Sequence, residues 1–277
     1  MRRLTRRTFA SLRKHRNYRL YFIGQVVSVS GTWMQQLALA WFVIELTRSP
    51  FAVGVLAFCR FVPFSVFGLA AGVLADRFDN RLLFGATQLA SMVVSVALAA
   101  LAFSGAAELW HIYVLAALGG TAAVFDGPGR HALTSQLVAR EELPNAIALN
   151  VSLFNMSRLV GPALAGALIA VVDVAWCFAV NAVSFLAVFV ALALMRREEL
   201  FPAGRAEHRP TMVRGVGEAF AYAAAAPQVR GVLLLTAALS AVGINFHVIV
   251  PLLAADEPSV GPAAFGLLAA AFGAGAT

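Results

Sequence analysis

Residues 174–195 read VAWCFAVNAVSFLAVFVALALM, an apolar run without one charged side chain. About 20 such residues carry a helix across the hydrocarbon core of a bilayer. The stretch before it, residues 146–171, is a second apolar run whose one charge is Arg158. Inside lipid every backbone N–H and C=O must be paired within a helix or a closed barrel, and these runs are too long for barrel strands. Extending the reading outward predicts helical spans at 19–45, 52–75, 82–104, 110–131, 146–171, 174–195 and 231–254, with an eighth that begins near 262 and is still running at Thr277.

Composition agrees. Of the 277 residues 60% are hydrophobic and 13% charged, whereas a water-soluble domain carries about 25% charged residues. The chain lacks the polar surface to cover itself in water, so its surroundings are the lipid bilayer. A net charge of +7 does not point to nucleic acid, because Lys14 is the one lysine and the arginines sit in short clusters between apolar runs. Eighteen of the 21 Lys and Arg residues precede the first span or fall in every second connection, at Arg77 and Arg81, Arg130 and Arg140, and Arg196 to Arg230. Basic residues gather on the cytoplasmic side, so the expected topology is multi-pass in the cell (inner) membrane with the amino terminus cytoplasmic. Thr5-Arg6-Arg7-Thr8-Phe9 has the look of a twin-arginine export signal, but the first apolar run is too long and six more complete spans follow. Those arginines anchor the first span. Cys59 and Cys177 both lie in apolar runs, which excludes a disulfide framework, and no metal or cofactor is expected.

The chain also resembles itself. A shift of 212 places Gly31 on Gly243, Glu45 on Glu257, Pro50 on Pro262 and Gly54 on Gly266 in one ungapped register. Spans 7 and 8 then begin a second copy of spans 1 to 6, a parallel repeat of the kind secondary transporters use. On that register a complete second copy ends near residue 408, so the chain is expected to be part of a longer protein. The predicted division is a six-span half at 1–195, a charged cytoplasmic linker at 196–229 and the start of a second half at 230–277. Pro202, Gly204 and Pro210 break the first part of the linker, and Thr211 to Ala226 is read as a surface helix.

Ionisable and polar groups inside spans are expensive, so they mark a water-filled path or a partner. On span 1, Gln25, Ser28, Thr32 and Gln35 or Gln36 follow helical spacing and are expected to line a cavity. On span 4, Gly119, Ala123, Asp126 and Arg130 share a face, as do Asn155, Arg158, Pro162 and Gly166 on span 5. Small residues there permit close helix approach. Arg158 lies roughly 18 Å from the cytoplasmic edge and Asp126 roughly 8 Å at the helical rise. Arg158 reaching toward the cytoplasm is therefore one expected partner for Asp126, and Arg130 one turn away is the other. The pair is either structural or part of proton or substrate coupling. Arg60 is read as nearer the periplasmic face, with Glu45 as a candidate partner.

The connection after span 2 reads Gly72-Val73-Leu74-Ala75-Asp76-Arg77-Phe78-Asp79-Asn80-Arg81. It resembles the signature of the major facilitator superfamily, Gly-x-Leu-Ala-Asp-Arg-x-Gly-Arg-Arg, through Gly72, Leu74, Ala75, Asp76, Arg77 and Arg81. Asp79 and Asn80 depart from it, and both residue types tolerate the left-handed turn geometry that Gly supplies. The stretch Phe125-Asp126-Gly127-Pro128-Gly129-Arg130, with Glu142-Leu143-Pro144-Asn145-Ala146, Leu149-Asn150 and Gly161-Pro162-Ala163-Leu164-Ala165-Gly166, is similar to the enterobactin-exporter-like branch. Gly161, Pro162 and Gly166 also resemble the fifth-span motif associated with exporters.

That resemblance implies an all-α polytopic membrane protein, a major-facilitator-type helical bundle with a complete six-span N-terminal half and the start of the second half. It implies a cytoplasmic gate at Gly72, Asp76, Arg77 and Arg81. Spans 1, 4 and 7 would surround a central cavity, which adds Asn245 and His247. The function expected is secondary active transport by alternating access, export of a small amphipathic compound of siderophore or drug type, coupled to an ion, the proton. No Gly-x-x-x-x-Gly-Lys loop occurs for ATP, and neither His-Glu-x-x-His nor Gly-x-Ser-x-Gly for an intramembrane enzyme. The remaining alternative is a non-transporting membrane receptor or assembly factor on the same fold.

Overall fold

The computed structural model describes residues 9–202, 221–222, 224–243 and 261–275, the side chains of 69–70, 72–77, 237, 240–243 and 272–274 excepted. Over these the chain is helical: α1 Ala10–Lys14, α2 Arg16–Thr47, α3 Pro50–Arg77, α4 Asn80–Ser104, α5 Leu109–Leu137, α6 Leu143–Val171, α7 Val174–Leu194, α8 Pro227–Gly243 and α9 Pro262–Gly275. Each of the first six predicted spans is one helix. The largest difference is at the end of α5, which continues past 131 to Leu137 and carries Pro128 in its interior. Neighbouring helices and local adjustment let a membrane helix absorb a proline. Span 7 is seen as far as Gly243, the remainder to 254 being outside the described residues. The surface helix predicted between Thr211 and Ala226 also lies largely outside them.

The helices α3 to α7 are long and apolar enough to cross a membrane, and at most half of the apolar window of each is buried. On α7, Val183, Leu186, Val190 and Leu194 form an exposed stripe, while Asn181, Ser184, Phe185 and Val188 on the other side are buried. An apolar stripe on the outside with polar groups inside suits lipid rather than water as the solvent. The helix α2 does not share their high mean hydropathy, because Gln25, Ser28, Ser30, Thr32, Gln35 and Gln36 dilute its apolar content. Those side chains are buried or half-buried. α2 packs against α6 and α7, α5 against α3 and α4, and α4 also against α7, so the two groups close on each other. The last helix, α9, lies along α6.

Two apolar layers result. Tyr18, Tyr21, Phe84, Leu133, Leu137 and Val188 make the one at the amino-terminal end of α2. Met34, Val43, Leu98, Ile112, Phe178 and Phe265 belong to the other. Between them every long inner helix carries polar residues: Gln25 to Gln36 on α2, Thr87 to Ser95 on α4, Asp126 and Arg130 on α5, and Asn181 and Ser184 on α7.

The turn into α4 survives for another reason than the sequence suggests. Asp79 is extended (φ −60°, ψ 120°), not left-handed, and its carboxylate accepts from the backbone N–H of Arg81 (2.9 Å) and Leu82 (3.0 Å). It is the N-cap of α4, satisfying two donors the helix cannot satisfy itself. Replacing it by Ala, Asp79→Ala, should cost about 1 kcal/mol of stability and Asp79→Asn much less, as read from unfolding of the purified protein in detergent.

Candidate functional site

The buried charge pair of α5 is the centre of the polar layer. Both Nε (3.1 Å) and Nη2 (2.5 Å) of Arg130 donate to Asp126 Oδ2. The other oxygen, Oδ1, accepts from Gln88 Nε2 (2.7 Å) and Thr87 Oγ1 (3.1 Å) of α4. Gln88 Oε1 in turn accepts from Ser28 Oγ of α2 at 3.3 Å. A carboxylate with charge-assisted bonds on one oxygen and two neutral donors on the other is fully paired, which makes an ion tolerable in a poorly hydrated place.

Of the two partners open to Asp126, the structure shows Arg130 rather than Arg158. Arg130 needs only one helical turn, whereas Arg158 is on another helix. The Arg158 guanidinium instead lies over the Trp33 ring, 5.7 Å from its centroid, and Trp33 meets Phe154 edge-on at 5.7 Å. Arg on an indole face is an attractive contact that also screens the charge from lipid.

The span 1 stripe divides. Thr32, Gln35 and Gln36 line a partly open cavity of about 90 Å³. Gln25 and Ser28 do not line it. Both are buried, Ser28 against Gln88, and neither amide atom of Gln25 has a hydrogen-bond partner among the described residues. Asn245 and His247 lie outside the described residues. The cavity also takes Ser91 and Ser95 from α4, Gly119, Gly120 and Ala123 from α5, and Asn181 from α7. Its one charged wall is Arg60. That residue is ten positions beyond Pro50, the first residue of α3, and so about 15 Å along the helix, closer to the Pro50 end than to the Arg77 end. Glu45, the partner considered for it, accepts from Trp41 Nε1 at 2.7 Å.

Of the loop signature, Gly72, Asp76 and Arg77 form the last turns of α3, and their side chains lie outside the described residues. The Arg81 guanidinium donates to Leu192 O, which ties the start of α4 to the unsatisfied carbonyls at the end of α7. The exporter-like residues of α6 act through close approach. A Cβ on Gly161 would fall 2.5 Å from Trp33 Cβ and 2.8 Å from Ser30 O, and one on Gly166 would fall 2.7 Å from Gly266 Cα of α9. Pro162 shares that seam, its carbonyl lying 2.8 Å from a Cβ built on Gly266.

Glu142 and Asn145, read only as resemblance residues, fasten the amino-terminal segment. Lys14 Nζ and His15 Nε2 both meet the Glu142 carboxylate, and Ser11 Oγ donates to Asn145 Oδ1 at 2.8 Å. Tyr18 OH reaches Ala146 O at 2.9 Å. Sequence reasoning missed Thr87, Gln88, Ser91, Ser95 and Asn181. A signal existed, since Thr87, Ser91 and Ser95 recur every fourth residue.

Residues 6–277 match the family described as transmembrane secretion effector. The staphyloferrin A transporter of Staphylococcus aureus is 28% identical over 195 residues, which are 70% of this chain and 49% of that protein. The macrolide efflux protein A of Streptococcus pyogenes is 28% identical over 194 residues, 68% of this chain and 48% of its own. The enterobactin exporter EntS of Shigella boydii is 26% identical over 265 residues, 96% and 62% respectively. The chain thus spans about half the length of the first two relatives. A bacterial homologue of the human lysosomal transporter Spinster, solved inward-facing and unoccupied, superposes with a TM-score of 0.67 at 15% identity, over 93% of this chain and 60% of that one. The likeness establishes the fold.

A mutant cycle tests the charge pair. Asp126→Asn and Arg130→Gln should each lose about 3 kcal/mol, with the double variant losing much less than their sum. Asp126→Asn combined with Arg158→Gln should be additive to about 0.5 kcal/mol. Denaturant unfolding in detergent measures all five variants.

Proposed function

This chain belongs to the transmembrane secretion effector family, and from that premise we propose that it exports a small amphipathic compound, of siderophore or drug type, by alternating access. The observation that carries the reading is the polar layer between two apolar layers, with a cavity that runs from it into one of them. Structural stability alone does not require such a layer, since an apolar core is easier to satisfy. Family relatives named for siderophore transport and macrolide efflux support the substrate type, and the transport chemistry of the family leaves no enzymatic role to assign.

The two-half arrangement is part of the proposal, with residues 1–195 as the first half, 196–229 as a cytoplasmic linker and 230–277 as the start of the second. It is supported by the register of the internal repeat, because α3 and α9 begin at the matched residues Pro50 and Pro262. The basic residues support a cytoplasmic amino terminus. In this reading the seam between α6 and α9 is where the halves move. Asp76, Arg77 and Arg81 gate the cytoplasmic side.

The coupling ion in this reading is the proton, with Asp126 and Arg130 as the charged pair of the polar layer, and an ion drives only the equilibrium whose states bind it differently.

Cells expressing the protein and loaded with ethidium test this directly. Efflux above the vector control should fall about tenfold when a protonophore collapses the gradient. Asp76→Asn should slow it severalfold at unchanged membrane level. A correctly inserted protein that moves neither ethidium, a macrolide, a catecholate siderophore nor an amphipathic carboxylate would count for the receptor alternative.

A further inference from the structure

Arg60 presents a half-buried cation that the charge pair does not use. Its backbone is seated directly on α5, where a Cβ on Gly120 would fall 2.2 Å from Arg60 O. This contact fixes where the guanidinium begins and leaves the side chain at the wall of the cavity. Among the described residues it makes no ion pair. The one carboxylate deep in the described spans is Asp126, about 9 Å further along α5 at the helical rise, and both of its oxygens are engaged. The ring of Phe61 at 5.7 Å is its one aromatic contact.

The surrounding polar groups are amides and hydroxyls, some already committed and some not. Asn181 Nδ2 is committed to Gln35 Oε1 (2.8 Å) and Ser95 Oγ (3.2 Å), and Thr32 to the carbonyl of Ser28 (2.9 Å). Gln36 and Ser91 line the same space without a side-chain hydrogen bond among the described residues. A guanidinium inside a span is costly unless a counter-charge meets it. Water can hydrate it but cannot neutralise it. A carboxylate would supply that charge, and the neighbouring hydroxyl and amide groups can donate to its second oxygen.

Size limits the choice. A cavity of about 90 Å³ holds several waters or one carboxylate-sized group, whereas a whole drug-sized ligand needs roughly 300 Å³ or more. We propose that this cavity is an anion site in which Arg60, with Gln36 and Ser91, holds the carboxylate end of the exported compound. The substrate is therefore an amphipathic carboxylate whose apolar body stays outside the cavity. This rests on the transport reading above. A free halide has the same charge and could fill the same space, so the test must separate the two.

Coumarin-3-carboxylate and its methyl ester differ by the charge alone. In cells expressing the protein, Arg60→Gln should slow efflux of the carboxylate about tenfold, as loss of one charge-assisted pair implies, and leave the ester within about twofold. Arg60→Lys should keep the preference for the carboxylate, because it keeps the charge. Equal loss of both compounds in Arg60→Gln would make Arg60 structural and overturn the proposal. Where Arg60→Gln does not accumulate in the membrane, Gln36→Leu carries the same comparison, and an unchanged preference there overturns it.

If the wild type exports neither compound, transport of this class fails and the site is decided by binding. Purified protein in detergent should then melt about 3 °C higher with millimolar coumarin-3-carboxylate, with no rise for the ester or for Arg60→Gln. A rise with sodium chloride and none with the carboxylate assigns the cavity to a halide and overturns the substrate claim. No rise with either overturns the anion site.

Discussion

The constraint on which the rest depends is that a layer of polar side chains has to be satisfied inside a bundle that lipid surrounds. There is no water at the outer wall to accept an unpaired group, so donors have to find acceptors inside the bundle, on their own helix or a neighbouring one. Asp126 shows the solution in its most demanding form, with Arg130 on its own helix and Thr87 and Gln88 from α4. Ser28 extends the chain to α2, while Asn181 joins α7 to Gln35 and Ser95. The apolar layers above and below have no such demands. They supply contact area, but the polar layer sets which helix faces which, since a rotation of α4 would strand Gln88 and uncover Asp126.

Close packing makes those bonds reachable. Lipid tails are as apolar as leucine, so helices associate in a membrane through fit rather than through exclusion of water. Gly161 lets α6 lie on the backbone of α2, with Ser30 Oγ and Ser157 Oγ at 3.1 Å beside the contact. Gly120 does the same for α3 on α5. At Gly166 and Gly266 the two backbones meet with no side chain between them, and nearby Trp41 and Phe265 stack at 5.4 Å. The described part of that seam is apolar and smooth. Within the first six spans, by contrast, side-chain hydrogen bonds cross between helices at several levels.

The first six spans were legible because a mainly apolar run of this length has one physical reading, and their ends were right to within a few residues except where α5 continues to Leu137. Asp126 was legible as an expensive charge, but its partner was not. Helical spacing admitted Arg130 and depth admitted Arg158, and only the arrangement of α6 on α2 shows Arg158 turned to Trp33. Thr87, Ser91 and Ser95 were legible in principle as a four-residue period. Arg60 was not, because its surroundings come from the pairing of α3 with α5, which no local pattern states. Asp79 was half legible: a turn was expected, and the cap that makes it was not.

The seam between α6 and α9 carries a sequence echo of its own. Residues 161–166 read GPALAG and residues 261–266 read GPAAFG, and the two stretches face each other, each glycine against the other's backbone and each proline carbonyl against the other's glycine. A proline removes one backbone donor and thereby leaves a carbonyl one turn earlier without its helical partner. A glycine across the seam then brings backbone to that surface where any larger residue would hold the helices apart. Pro162 lies inside α6 and Pro262 opens α9, so what the two helices share is the glycine facing the other's proline carbonyl, and in that respect the contact is nearly symmetric. A symmetric contact between backbones has few interlocking side chains to break, and two helices can shift along it at less cost than along a seam of knobs and holes. The six-span body, cross-tied at its polar layer and clasped by Ser11, Lys14 and His15 at Glu142 and Asn145, has no seam of that kind described within it. α9 is therefore held to that body by a seam that is mostly backbone against backbone.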